Sequence, residues 1–186
     1  MVAWLVSLGH WKAWGRTTID HLRGERILEL GHGPGHLLTA LERQGLNPVG
    51  LDLSPQMGRQ AQRRLRKSGL SVPLVRARAQ SLPFHERCFD TVVATFPTGY
   101  IVDPRTLEEV TRTVRPGGRL VVALGAGFEG EGVVASFLTW LYRVTGQSER
   151  SPDTFIHWLE EAGLSARLVR EQVEQTTVLL TVAEKR

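Results

Sequence analysis

The spacing of apolar positions changes several times along the chain, and each change marks an element. RILEL, residues 26–30, is a short apolar run, and after it Leu37, Leu38, Ala40 and Leu41 recur at helical spacing before a second run, PVGLDL, residues 48–53. This order predicts strand, helix, strand, with Gly45 as the residue that closes the helix. Ser54 is placed to cap a second helix whose first position is Pro55, where a missing amide proton does no harm, and that helix is expected to end near Gly69. LVRA (74–77) reads as a third strand. FDTVVATF (89–96) reads as a fourth, with the unbroken apolar centre of a strand buried on both faces of a parallel sheet. Asp103-Pro104 opens a helix through about Val114, Pro116-Gly117-Gly118 ends it in a turn, and RLVVAL (119–124) returns as a fifth strand. Gly125 to Gly132 reads as irregular and VVASFLTWLYRV as a strongly apolar helix. Ser151-Pro152 starts a further helix ending at Gly163, and two closing strands, near 166–171 and 176–183, are expected to pair antiparallel. Strands alternating with helices predict an α/β fold.

Composition narrows this further. With 186 residues, 41% of them apolar, the chain suits one domain around one sheet. We read 1–186 as that domain, 1–24 as a helical segment lying over a site and 125–150 as a segment on the substrate side. Lys and Arg number 23 against 19 Asp and Glu, a formal charge of +4. The basic residues are scattered, and their densest run, Arg59, Arg63, Arg64, Arg66 and Lys67, has the spacing of a solvated helix face, so no nucleic-acid partner is expected. Cys88 is the only cysteine, which rules out an intrachain disulfide and a Cys-rich metal site; no metal is expected, and a reducing cytoplasm suits the chain. The apolar start, MVAWLVSLGHWKAW, lacks a basic leader, and His10 and Lys12 interrupt it well short of the roughly 18 residues of a span, so neither a cleaved signal nor a membrane helix is expected.

The chemistry concentrates at Glu29-Leu30-Gly31-His32-Gly33-Pro34-Gly35, between a strand and a helix. Three glycines in five residues allow a tight turn and let a ligand lie on bare backbone facing the amides of the helix start. The dinucleotide fingerprint G-x-G-x-x-G would need glycine at 36, and His36 stands there. Asp52 ends the next strand about 20 residues on, where a carboxylate can accept both hydroxyls of a ribose, or stabilise the start of the following helix beside Ser54. Leu53 adjoins it and can cover the face of a base.

Glu-x-Gly-x-Gly-x-Gly ending one strand, with an acid ending the next, resembles the nucleotide-binding signature of class I S-adenosylmethionine-dependent methyltransferases. Ala79-Gln80-Ser81-Leu82-Pro83-Phe84 with Cys88-Phe89-Asp90-Thr91-Val92-Val93, and Val114-Arg115-Pro116-Gly117-Gly118-Arg119-Leu120, resemble the later motifs of the branch that includes ubiquinone- and menaquinone-pathway enzymes. The resemblance covers residues 26 to about 124. It implies a Rossmann-like, doubly wound, seven-stranded, mostly parallel sheet with an antiparallel C-terminal strand and helices on both faces. It implies S-adenosylmethionine as cofactor, with S-adenosylhomocysteine as product. Glu29 would hold the amino-acid end of the cofactor, Gly31, His32, Gly33 and Gly35 would form the loop around it, and Asp52 would grip its ribose. Leu53 and Ala79 would flank the adenine, with Gln80 beside them, and backbone near Thr95 and Phe96 would meet the methionine portion. One position departs from the pattern: before Ala79 the family commonly has an Asp that reads the adenine amino group, and here it is Arg78, which cannot accept that hydrogen bond.

Direct in-line methyl transfer needs alignment and exclusion of water, and no covalent nucleophile. If the acceptor needs a base, His32, His36, His85, His10 and Tyr100 qualify by type, with His32 and Tyr100 the candidates retained. The Asn- or Asp-Pro-Pro-aromatic motif common in methyltransferases acting on amino groups of DNA bases is absent after the fourth strand, where the chain reads Ala94-Thr95-Phe96-Pro97-Thr98-Gly99-Tyr100. Trp4, Leu5, Leu8, Trp11 and Trp14, with Phe137, Leu138, Trp140, Leu141 and Val144, would enclose a small-molecule or lipid-like acceptor. Lys12, Arg16 and Arg143 would then meet anionic head groups in a peripheral membrane contact. The same stripes equally suit core helices or a homodimer contact. A cofactor-binding module without catalysis and a nicotinamide-dependent oxidoreductase are the competing readings.

Overall fold

The computed structural model describes residues 11–128 and 152–186. In chain order the elements are α1 (Trp11–Arg16), a 3-10 turn (Ile19–His21), β1 (Arg26–Leu30), α2 (His36–Arg43), β2 (Asn47–Leu51), α3 (Pro55–Lys67), β3 (Leu74–Val75) and β4 (Phe89–Thr95). A second 3-10 turn (Gly99–Val102), α4 (Pro104–Thr113), β5 (Val114–Phe128), α5 (Pro152–Glu161), β6 (Leu164–Val173) and β7 (Thr176–Lys185) follow. The strands form one sheet in the order β3-β2-β1-β4-β5-β7-β6. The first five pair in parallel, and β7 runs antiparallel to both neighbours. This is the doubly wound, mostly parallel sheet expected from the sequence, and its strand order reverses between β1 and β4, where such sheets open a crevice beyond their carboxyl ends.

Both faces of the sheet are packed, which is why Ile27-Leu28 of β1 and Val92-Val93-Ala94 of β4 read as consecutive apolar residues. On one face Leu28, Leu30, Val92 and Leu120 join Phe155 and Leu159 of α5; on the other Ile27, Val93 and Val121 meet Leu37 and Leu41 of α2. The helix starts are set locally. Ser54 Oγ accepts from the Met57 amide at 3.3 Å ahead of Pro55, and Asp103 Oδ1 accepts from the Arg105 amide at 3.0 Å ahead of Pro104.

Several boundaries differ from the sequence reading. β2 stops at Leu51 and β3 holds only Leu74 and Val75. The closing strands are longer, ten residues each. Pro116-Gly117-Gly118 does not separate α4 from its strand: β5 already begins at Val114, and its register against β4 jumps from Phe89↔Val114 to Thr91↔Arg119. Residues 115–118 therefore bulge opposite Asp90. Gly117 takes φ +70°, and a Cβ on Gly118 would lie 2.7 Å from the Asp90 carbonyl oxygen, so the bulge needs both glycines. Gly125 to Phe128, expected to be irregular, remain in the sheet opposite β7 after a second register shift between Ala123 and Gly125. VVASFLTWLYRV, Ser151, His10, Trp4, Leu5 and Leu8 lie outside the described residues.

Candidate functional site

The turn after β1 is built by its glycines. Gly31, Gly33 and Gly35 have φ of 67°, 51° and 76°. The Gly31 and His32 amides donate to the Leu51 carbonyl at 2.7 and 3.3 Å, tying this turn to the end of β2. A Cβ on Gly31 would stand 2.6 Å from the Tyr100 hydroxyl oxygen, so close approach as well as conformation requires glycine there. Gly35 serves packing: a Cβ there would lie 2.9 Å from Cβ of Ala61, where α2 begins against α3.

Asp52 joins the two loops. Its Oδ2 accepts from the Gly33 amide at 2.9 Å and its Oδ1 from the Ser54 amide at 2.8 Å. A carboxylate offers about four acceptor sites, so two remain toward the crevice. There a cavity of about 690 Å³ brings together Gly31, Asp52, Leu53, Ala79, Gln80, Thr95 and Phe96, with Arg78 and Tyr100 also on its wall. Leu53 is 53% exposed on that wall, an apolar side chain left open beside a carboxylate. A second cavity of about 390 Å³ shares Gly31, Thr95 and Phe96 and adds Glu29, His32, Gly33 and His36, with Lys12, Arg16, Arg43 and Arg64 around it. Gly35 lines neither of these two cavities.

Glu29 is 2% exposed, and its Oε2 has no hydrogen-bond partner. Burial pushes its carboxyl up to about 8; an amide bond from Leu38 opposes this and the charge of Asp52 adds to it. A buried acid with a free oxygen at the wall of a cavity is suited to a cationic ligand group.

The two base candidates are both engaged. His32, buried, has Nδ1 2.7 Å from the Gly33 carbonyl; since a carbonyl only accepts, Nδ1 carries the proton and Nε2 is the acceptor. The Tyr100 hydroxyl donates to the Leu30 carbonyl at 3.0 Å, and burial, with the charges of Glu29 and Asp52, pushes it above the usual phenol range. Burial, then Arg64 and Lys12, push His36 down to about 4, which keeps it neutral. His85 is exposed and lines neither cavity.

Sequence reasoning missed the backbone at Phe96, which takes φ +50°, a conformation rarely adopted by a bulky residue and one that turns the chain into the crevice after β4. Phe96 meets Trp14 edge-on, ring centroids 6.2 Å apart at 61°, and Trp14 Nε1 donates to Thr176 Oγ1 at 2.8 Å. Backbone near Phe96 was expected at the cofactor and Trp14 in an apolar stripe, but the turn at Phe96 and its contact with Trp14 are long-range features that the sequence does not display.

Comparison with known proteins accords with this geometry. Residues 27–118 match a methyltransferase domain family. The demethylmenaquinone methyltransferase of Clavibacter sepedonicus is 37% identical over 122 residues, 63% of this chain and 49% of that protein. The ubiquinone/menaquinone biosynthesis C-methyltransferase UbiE of Yersinia enterocolitica is 34% identical over 128 residues, 63% of this chain and 51% of that protein. The chain thus spans about half the length of these relatives. Among solved structures, the geranyl diphosphate C-methyltransferase of Streptomyces coelicolor, crystallised with Mg²⁺, geranyl diphosphate and S-adenosyl-L-homocysteine, superposes with a TM-score of 0.73 at 16% identity, covering 94% of this chain and 79% of that one. The glycine turn, the acid closing β2, the strand order and these matches agree: residues 27–118 form a methyltransferase domain with the fold of the class I S-adenosylmethionine-dependent enzymes, similar in sequence to ubiquinone- and menaquinone-pathway methyltransferases.

Proposed function

We propose that this chain binds S-adenosylmethionine across its two joined cavities and directs methyl transfer to a small-molecule or lipid-like acceptor, leaving S-adenosylhomocysteine. The observation that carries this is Asp52 fixed between two loops on the wall of one cavity, with Glu29 buried and its Oε2 without a partner on the wall of the next. The residues fit the group. Asp52 would accept from the ribose hydroxyls, Leu53 and Ala79 would flank the adenine, and Glu29 would face the ammonium. Lys12 and Arg16, which line the same cavity as Glu29, would meet the carboxylate, and Gly31 and Gly33 would leave room along the backbone.

When bound, the cofactor supplies a methyl group on a sulfonium centre that needs no covalent help from the protein. The tasks left to this chain are orientation and exclusion of water. Thr95, Phe96 and Tyr100, where β4 ends, are positioned to hold the reacting partners, and Trp14 backs Phe96. Tyr100 is engaged as a donor, whereas His32 keeps Nε2 as an acceptor, the form a general base needs; an acceptor already nucleophilic, such as an electron-rich aromatic or enol carbon, would need neither. His36 at the start of α2 leaves no third glycine for the dinucleotide alternative.

Calorimetric titration with S-adenosylmethionine, S-adenosylhomocysteine, NAD and NADP tests the reading. Micromolar binding of the sulfonium pair is expected, weakened about 1–3 kcal/mol by Asp52→Ala through loss of charge-assisted hydrogen bonds. Binding of NAD in place of the sulfonium pair would overturn it.

A further inference from the structure

Gln80 has an acceptor aimed by its neighbour. Its Nε2 lies 3.2 Å from Asp103 Oδ2. A carboxylate only accepts, so the amide must turn its NH₂ toward Asp103, and this settles which end of the side chain is nitrogen. Asp103 is itself held: Oδ1 caps α4 through the Arg105 amide, and its own amide donates to the Tyr100 carbonyl at 3.2 Å. Gln80 Oε1 is therefore presented as an acceptor by a residue fixed from two sides. It accepts no hydrogen bond among the described residues, and Gln80 lines the larger cavity with Ala79 and Thr98.

With Asp52, the same cavity is lined by apolar Leu53, Ala77 and Ala79, suited to a planar base, and by Arg78, a side chain that only donates and is exposed. Only an acceptor can read an exocyclic amino group. Among the side chains of residues 78–80, Gln80 alone has one.

We propose that Gln80 selects the 6-amino group of the bound purine, and that Asp103 is a positioning residue that keeps the carbonyl of Gln80, and not its NH₂, toward the base. This rests on the cofactor reading above and assigns to a Gln–Asp pair the recognition that Arg78 cannot perform. Asp103 would then couple α4 to the base site as well as cap the helix.

The test compares S-adenosylhomocysteine with its analogue bearing hydrogen in place of the 6-amino group, by calorimetry, on the wild type, Gln80→Met and Asp103→Ser. Serine keeps a cap for α4 but is too short to hold Gln80. The wild type is expected to bind the amino compound about three- to tenfold more tightly, the size of one neutral hydrogen bond. Gln80→Met should bind both compounds within about twofold of each other, and Asp103→Ser should fall between, with a melting temperature close to that of the wild type. General damage to the pocket would weaken both compounds together and leave their ratio unchanged. An unchanged ratio in Gln80→Met, or no preference in the wild type, overturns the proposal while leaving the cofactor reading intact. Failure of the wild type to bind either compound overturns both.

Discussion

At the scale of single residues, Glu29 carries the clearest thermodynamic signature. Its carboxyl sits near 8 in the folded protein against 4.5 when solvated, because burial disfavours the charge. The folded state therefore holds this proton more tightly than the unfolded chain. Stability associated with it is complete below about pH 4.5 and is progressively lost as pH climbs to about 8. Melting temperatures of the ligand-free protein should fall across that window, and Glu29→Gln should flatten the fall. A ligand ammonium beside Glu29 would favour its ionised form, so binding at pH 7 should release a proton, read as a dependence of calorimetric enthalpy on the ionisation enthalpy of the buffer. Release that persists unchanged in Glu29→Gln would assign the proton elsewhere. The importance of position 29 was legible in the sequence, but the state of its proton was not, because burial depends on Leu38 and α2 closing over it.

At the scale of elements, α1 is held to the sheet by Trp14, whose ring is 6% exposed among Ala123, Val178 and Leu180 and whose Nε1 reaches Thr176 at the start of β7. Trp14→Ala should cost about 3–5 kcal/mol in denaturant titrations, the range for a buried large aromatic. Trp14→Phe should cost about 1 kcal/mol, roughly the hydrogen bond. Equal losses in the two variants would show that packing contributes little. Asp90 ties the bulge in β5 to the start of β1, its Oδ1 standing 2.7 Å from Arg115 Nε and 2.8 Å from an Arg26 guanidinium nitrogen. Burial alone would raise its pKa, but the Arg26 side chain and the amides of Arg26 and Glu25 hold it down at about 2. Helix starts at Ser54 and Asp103 were readable because capping is local chemistry. The bulge was misread as a turn because the reason for its glycines, the Asp90 carbonyl across the ladder, is a long-range contact. Likewise Gly35 resembled a ligand-binding glycine in sequence, while its close neighbour is Ala61, 26 residues away.

At the scale of the whole molecule, strand alternation and the glycine turn were enough to give the sheet and the turn that lines its crevice. The convergence of Gln80 with Asp103 and of Trp14 with Phe96 needed tertiary structure, since each pair joins residues far apart in sequence. No helix among the described residues is long and apolar enough to cross a membrane. If the acceptor is lipid-like, recruitment to a bilayer would run through exposed cations outside the two cavities, so flotation with liposomes containing anionic lipid should capture the protein at low salt and lose it as salt rises. Lack of capture even at low salt would point to an acceptor delivered through water.

The placing of β7 between β5 and β6 also bears on how the molecule is made. During synthesis β6 leaves the ribosome before the strand that joins it to the sheet, so until residues 176–185 follow, β5 presents an open edge and β6 has no place to pair. The half of the sheet that carries the glycine turn can assemble early, whereas the wall behind Phe96 and Trp14 closes last. A nascent chain paused before Thr176 would thus be able to form much of a binding site while still exposing a strand edge of the kind that invites aggregation.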